Sequence, residues 1–249
     1  MLIIKKKERY FCFIDNPKCG SSTMRDIIYK QLINKYEVVF KPDKQGLTKD
    51  GIPCRKEYQA NTREKFYANK ELFTKMKRKY NHEQYTHCSL EGAVKYLKKI
   101  NVNISNVIFI TTIRNPIIKL QSTYHYNLKR EQKLFNYKLN YFKYKNFIKD
   151  FEEYLNDFHL SQFIPERWRI YQHYKINYFI KLENFREDLR ILGEKYELDI
   201  KLNNLRRVRL NEWEPCYFLP KHILQKIRYI WNKDFVDGNY DIPDSYLNK

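Results

Sequence analysis

The sequence predicts an α/β fold: a single domain with a central, mainly parallel sheet flanked by helices. Three observations carry this. Arg9 to Asp15 (RYFCFID) and Asn106 to Thr112 (NVIFITT) are short apolar runs bounded by polar turns, the pattern of strands covered on both faces. Each runs through a turn into a segment with helical periodicity, and Asn177 to Leu182 followed by Glu183 to Tyr196 repeats the unit. Strand-then-helix repetition is what a largely parallel sheet requires, because each crossover must return over the sheet.

Length and composition agree. The 249 residues allow one large or two small domains, and no stretch has linker composition, so one domain over 1–249 is expected. Hydrophobic residues make up 43% and aromatic residues 16% of the chain, enough for a sizeable core despite a mean hydropathy of -0.76. Only 6 Gly and 8 Pro are present and no period recurs, which excludes collagen-like and solenoid architectures.

The elements follow in order. Ser21 to Lys35 reads as a helix with Met24, Ile27, Ile28 and Leu32 on one apolar face. Residues 41–61 hold two prolines and two glycines and read as a surface loop or lid. Arg63 to Tyr80 is a basic helix, Gln84 to Cys88 a short strand, and Ser89 caps a helix running to Lys99. The run NVIFITT is the strongest core-strand signal, and Pro116 suits the first turn of a helix through Tyr126. Residues 129–175 read as helical. The Lys, Tyr, Phe and Asn of 129–149 suit either an acceptor-gripping surface or solvated charge around a packed aromatic stripe. Lys221 to Trp231 makes the final helix.

Forty-eight Lys and Arg against 29 Asp and Glu give a net charge of +19 and a pI near 9.5. An anionic partner follows: nucleic acid, acidic polysaccharide, an anionic membrane face or a multiply charged nucleotide, unless the lysines are only a compositional bias. The five cysteines are scattered without a CxxC pair, so neither a disulfide framework nor a zinc site is suggested, and no ligand cluster stands out, so no metal is expected. Cys12 falls in a core strand. Cys19 falls in the first loop, as a packed or a reactive thiol. The opening MLIIKKKERYF is too short an apolar stretch for a signal peptide, and no segment approaches the roughly 20 apolar residues of a membrane span. A soluble, cytoplasmic protein is the expectation.

Two stretches carry chemistry. In FCFIDNPKCGSSTM, Phe11 to Met24, a strand feeds a tight turn and a helix N-terminus, which directs backbone N–H groups and a helix dipole at one spot suited to phosphate or sulfate. Gly20 permits close approach of the backbone, Ser21, Ser22 and Thr23 add hydroxyls, and Lys18 adds a mobile charge. The same hydroxyl residues also suit an ordinary helix cap. In Arg114-Asn115-Pro116-Ile117-Ile118-Lys119-Leu120-Gln121-Ser122-Thr123-Tyr124, Arg114 leaves the carboxyl end of the core strand, where open α/β sheets bind ligands. Ser122 follows about two helical turns later, near the same face. A guanidinium and a hydroxyl receive a terminal phosphate well, although pairing of Arg114 with a carboxylate would explain it as simply.

Two such cradles in one sheet suit a ligand with two separated anionic groups, such as adenosine with a 3′-phosphate and a 5′-phosphosulfate. PKCGSST resembles the 5′-phosphosulfate loop of sulfotransferases that use 3′-phosphoadenosine 5′-phosphosulfate (PAPS), and IRNPIIKLQSTY resembles their 3′-phosphate motif. The chain resembles the membrane-type carbohydrate enzymes, of uronyl and heparan kind, more than the cytosolic ones. YFIKLENFREDL and WNKDFVDGNY resemble their later landmarks. The resemblance implies a P-loop-like domain that moves a sulfuryl group to a hydroxyl of a carbohydrate, an acidic glycan among the candidates, leaving 3′-phosphoadenosine 5′-phosphate (PAP).

By position, it implies that Lys18 meets the bridging region of the phosphosulfate. The segment Cys19, Gly20, Ser21, Ser22 and Thr23 would hold the 5′-phosphate, and Arg114 and Ser122 the 3′-phosphate. Lys119 stands where many relatives have arginine, and the resemblance implies that the basic run Arg206-Arg207-Val208-Arg209 would close over the nucleotide. His87, in Tyr85-Thr86-His87-Cys88-Ser89, resembles the catalytic histidine of the uronyl enzymes and has the side-chain chemistry of a general base at neutral pH; His82, Glu83 and Glu91 compete for the role.

Two other classes stand beside this one. A P-loop nucleotide kinase or hydrolase uses a similar sheet and loop, but GxxxxGK[ST] is absent and the lysine precedes the glycine. A basic nucleic-acid-binding protein would use 129–149, although no zinc-finger, RRM or basic-zipper signature is present, and no specific nucleic acid is expected.

Overall fold

A computed structural model of the chain describes residues 1–20, 23–41, 88–124, 169–202 and 219–247. A hairpin opens it. β1 (Leu2–Lys6) pairs antiparallel with β2 (Arg9–Ile14), from Leu2 opposite Phe13 to Lys6 opposite Arg9. That leaves a two-residue turn, Lys7-Glu8, with Lys7 at φ 53, the positive φ that tight hairpins need. The sequence reading has no strand before Arg9. A lysine occupies the position where Gly or Asn would announce the turn, and the charge run beside it cuts short the apolar run Leu2-Ile3-Ile4.

α1 spans a π-helical turn at Met24–Tyr29 and an α-helical one at Lys30–Ile33, and β3 (Glu37–Phe40) returns beside β1. α2 (Leu90–Lys99) is capped as its sequence predicts, the Ser89 hydroxyl accepting the Gly92 N–H at 3.2 Å. β4 (Val107–Ile113) is followed by α3, helical over 116–124. β5 (Ile170–Tyr171) and β6 (Tyr174–Lys175) form a small hairpin, and β7 (Tyr178–Lys181) leads into α4 (Phe185–Tyr196). α5 (Lys221–Ile230), α6 (Asn232–Gly238) and α7 (Asp244–Leu247) close the described chain.

The main sheet has the order β3-β1-β2-β4-β7. β2–β4 and β4–β7 are parallel, and β1 is antiparallel to both its neighbours. Four strands therefore point one way and β1 opposes them: the sheet is mixed, with mostly parallel strands. Because strand side chains alternate faces, Phe11 and Phe13 of β2 pack with Met24, Ile28 and Leu32 of α1 and Leu189 and Leu192 of α4. Cys12 and Ile14 pack on the other face with Leu90, Ala93, Val94 and Leu97 of α2. Each such fully buried Leu, Ile or Phe contributes about 1.5–3 kcal/mol of transfer free energy. A third cluster joins Ile117, Leu120 and Tyr124 of α3 to Ile223, Leu224, Ile227, Trp231 and Phe235 of α5 and α6.

Two expectations need correction. The helical reading of 129–175 fails over 170–175, where Ile170 pairs with Lys175 and Tyr171 with Tyr174; Gln172 takes φ 51, which turns the chain and ends any helix there. Lys221 to Trp231 is also not the last helix, since α6 and α7 follow it. The lid at 42–61, the helix over 63–80 and the residues 129–168 lie outside the described residues, as do 84–87 of the strand expected to end at Cys88. Among the described residues no helix is long and apolar enough to cross a membrane.

Candidate functional site

β2, β4 and β7 are parallel neighbours, so the loops that leave them emerge at one edge of the sheet. After β2 the chain reads Asp15-Asn16-Pro17-Lys18-Cys19-Gly20. Asp15 is buried in a structural pair: its carboxylate accepts the Tyr29 hydroxyl at 2.6 Å and meets the Met1 amine at 2.9 Å. Asn16 roots the turn. Its Nδ2 donates to the Thr112 carbonyl on β4 at 2.9 Å, and its own carbonyl accepts the Cys19 N–H at 3.3 Å. Lys18 (φ 63) and Gly20 (φ 82) both take positive φ, easy for glycine and uncommon for lysine. A Cβ on Gly20 would lie 2.6 Å from Leu182 Cδ1, the end of a side chain that would have to shift; the dihedral is what requires the glycine.

Cys19 is a packed thiol. It is fully buried, and burial, reinforced by Asp234 and Glu183 and opposed by Lys119 and Arg114, pushes it up to about 11. It is therefore a neutral thiol at physiological pH. The Gly20 carbonyl accepts the Met24 N–H at 3.0 Å, and Thr23 is already helical with no side-chain cap bond. Helix capping thus does not account for Thr23.

After β4, Arg114 is 6% exposed. Burial pulls its guanidinium down, with Cys19, Glu183 and Tyr240 opposing. Cys19 and Arg114 are electrostatic neighbours, so the two loops stand side by side. Asn115 caps α3, its Oδ1 accepting the N–H groups of Ile117 at 3.0 Å and Ile118 at 3.5 Å, with Pro116 at the first helical position. Ser122 lies two turns on and is half-buried. Lys119 is 4% exposed, its ammonium 3.5 Å from Asn16 Oδ1 and 3.8 Å from Asp234 Oδ2.

The loop after β7 supports the second loop. Glu183 accepts the Asn115 N–H at 2.9 Å through Oε1 and the Tyr240 hydroxyl at 2.6 Å through Oε2. Tyr240 is raised by burial and by Glu183. Its ring sits where a Cβ on Gly238 would be, 2.1 Å away.

The structure thus brings Lys18, Cys19, Gly20 and Arg114 to one edge of the sheet. It places Thr23 in the first turn of the helix after the first loop and Ser122 along α3. Ser21, Ser22, His87, Arg206 and Arg207 lie outside the described residues. Sequence reasoning misses Asn16, Glu183, Tyr240 and the buried partners of Lys119. A signal for the first exists: an Asn-Pro step follows both core strands, at Asn16-Pro17 and Asn115-Pro116, and in each case the asparagine side chain fixes the loop that follows.

No family model matches this chain, and no curated protein or solved structure matches it significantly. Among the described residues no group of three or more His, Cys, Asp or Glu side chains is arranged to hold a metal ion.

Proposed function

We propose that this protein transfers a sulfuryl group from PAPS to a hydroxyl, on a carbohydrate acceptor, with a P-loop-like domain of the sulfotransferase kind. One observation carries the reading. Two loops with the sequence features of anion cradles leave adjacent parallel strands, with Ile14 opposite Thr111, and bring Arg114 beside Cys19 at a single edge. A bis-anionic nucleotide fits such a pair, and a buried guanidinium beside a turn with two positive-φ residues suits anionic oxygens.

On this reading Lys18 and the turn amides would hold the 5′-phosphosulfate, and Arg114 and Ser122 the 3′-phosphate. The acceptor oxygen bonds to sulfur as the bond from sulfur to the 5′-phosphate oxygen breaks. His87 takes the acceptor proton, and Lys18 neutralises charge on the departing phosphate, so positioning and electrostatics do most of the chemistry. The net charge of +19 suits an acidic glycan as acceptor.

Isothermal titration with PAP tests the donor assignment. The wild-type chain is expected to bind, Arg114→Ala to lose about 100-fold in affinity as a charged hydrogen-bond donor to phosphate is removed, and His87→Ala to bind PAP while losing turnover. Wild-type protein that ignores PAP but binds ATP would overturn the assignment in favour of a nucleoside-triphosphate enzyme.

A further inference from the structure

We infer that Lys119 is a positioning residue for the donor site, acting through Asn16 to hold the Lys18–Gly20 turn in register with Arg114. This rests on the donor assignment above and adds to it a residue that touches no ligand. Lys119 lies on α3, in the same segment as Arg114 and Ser122, with its backbone N–H bonded to the Asn115 carbonyl at 2.9 Å. Its side chain reaches the other loop, Nζ lying 3.5 Å from Asn16 Oδ1. Asn16 is committed on both sides: Nδ2 to Thr112 of β4, and its carbonyl to the amide that closes the turn. A push or pull on its Oδ1 is therefore delivered to the residues with φ 63 and φ 82 just beyond it.

The ion cluster behind Lys119 is poorly built as a stabilising device. A charge-assisted hydrogen bond optimised for stability closes to about 2.7–2.9 Å, whereas Lys119 stands 3.8 Å from Asp234, itself 1% exposed. Neither Asp234 carboxylate oxygen receives a hydrogen bond, and Arg169, 3.2 Å from Asp234 and also 1% exposed, has Nε and Nη2 unbonded. A buried ion cluster of this kind is weak evidence for stabilisation, because the desolvation penalty can exceed the Coulombic gain. What the arrangement does provide is an ammonium fixed between the two loops. Asp234 and the Arg169–Asp237 pair, 2.5 Å apart, keep it neutral overall: two cations face two carboxylates.

The test separates a positioning role from a counterion role. PAP affinity and urea stability are measured for wild type, Lys119→Met, Lys119→Met/Asp234→Asn, Asn16→Ala and Lys119→Met/Asn16→Ala. Lys119→Met is expected to lose stability and about tenfold in PAP affinity. Lys119→Met/Asp234→Asn, which removes one charge of each sign, regains stability but not affinity. Asn16→Ala weakens PAP binding by a similar factor, and the Lys119/Asn16 pair weakens it no further than either single change, the mark of residues acting as a unit. A Lys119→Met/Asp234→Asn protein that binds PAP like wild type would reduce Lys119 to a counterion and overturn the inference while leaving the donor assignment intact. Wild-type protein that does not bind PAP removes both.

Discussion

Between β2 and α1 the chain turns through positive-φ backbone backed by the Asn16 side chain, while between β4 and α3 side chains make the turn. In the first loop Lys18 and Gly20 take positive φ, Gly20 packs against Leu182, and Thr23 makes no cap bond. In the second, Asn115 caps the helix, Pro116 opens it, and Glu183 holds the loop amide from the neighbouring strand. The first loop adopts a shape few residues tolerate. The second presents a guanidinium by anchoring an ordinary helix start. The two should therefore fail differently, the first by losing conformation and the second by losing single hydrogen bonds.

The sharpest way to break this contrast is Gly20→Ala. It places a side chain at φ 82 and 2.6 Å from Leu182 Cδ1, and is expected to cost about 2–4 kcal/mol in urea denaturation from strain and overpacking together. A loss below about 1 kcal/mol would mean the first loop is not held by its backbone.

Alkaline titration gives the next largest effect. The Cys19 thiol rises from 9.0 unfolded to about 11 folded, chiefly through burial. Its contribution is thus fully present below pH 9 and is lost as pH rises toward 11, when the unfolded chain releases a proton that the folded one keeps. Stability is expected to fall by roughly 2 kcal/mol over that window beyond the share of other groups. Cys19→Ala should flatten the slope, with Tyr240, Cys12 and Tyr178, also raised by burial, contributing to what remains. An unchanged slope would mean the thiol is not shielded.

Smallest is the comparison of caps. Asn115→Ala should cost about 1 kcal/mol, measured by thermal or urea unfolding, because it removes an acceptor for two helix N–H groups. Thr23→Ala should stay within about 0.5 kcal/mol. Equal losses would erase the distinction between the loops.

The same contrast shows what could be read from the sequence. Apolar runs and helix periodicity mark β2, β4, β7, α2 and α4, and Ser89 and Pro116 mark helix starts, because these depend on neighbours in the chain. β1 escapes because Lys7 stands at a positive-φ turn where only Gly or Asn gives a signal. In the site, Lys18, Gly20 and Arg114 are legible from residue type and their place after a core strand. Glu183, Tyr240, Asp234 and Arg169 are not. Each acts through a partner far along the chain, 68 residues from Asn115 to Glu183 and 103 from Asn16 to Lys119, and a charged residue read alone looks like solvated surface.

The strand order carries a kinetic consequence. β1 and β2 meet through a two-residue turn, a local contact that closes in microseconds. β2 and β4, in contrast, pair across nearly the whole interval from Tyr10 to Val107 and from Ile14 to Thr111, and such long-range parallel closure is slow and entropically costly. The edge that carries both loops comes into being only with that late step. A hairpin can therefore be native while the site is still absent, and a nucleotide that binds across the two loops would stabilise the β2–β4 seam that local folding leaves until last.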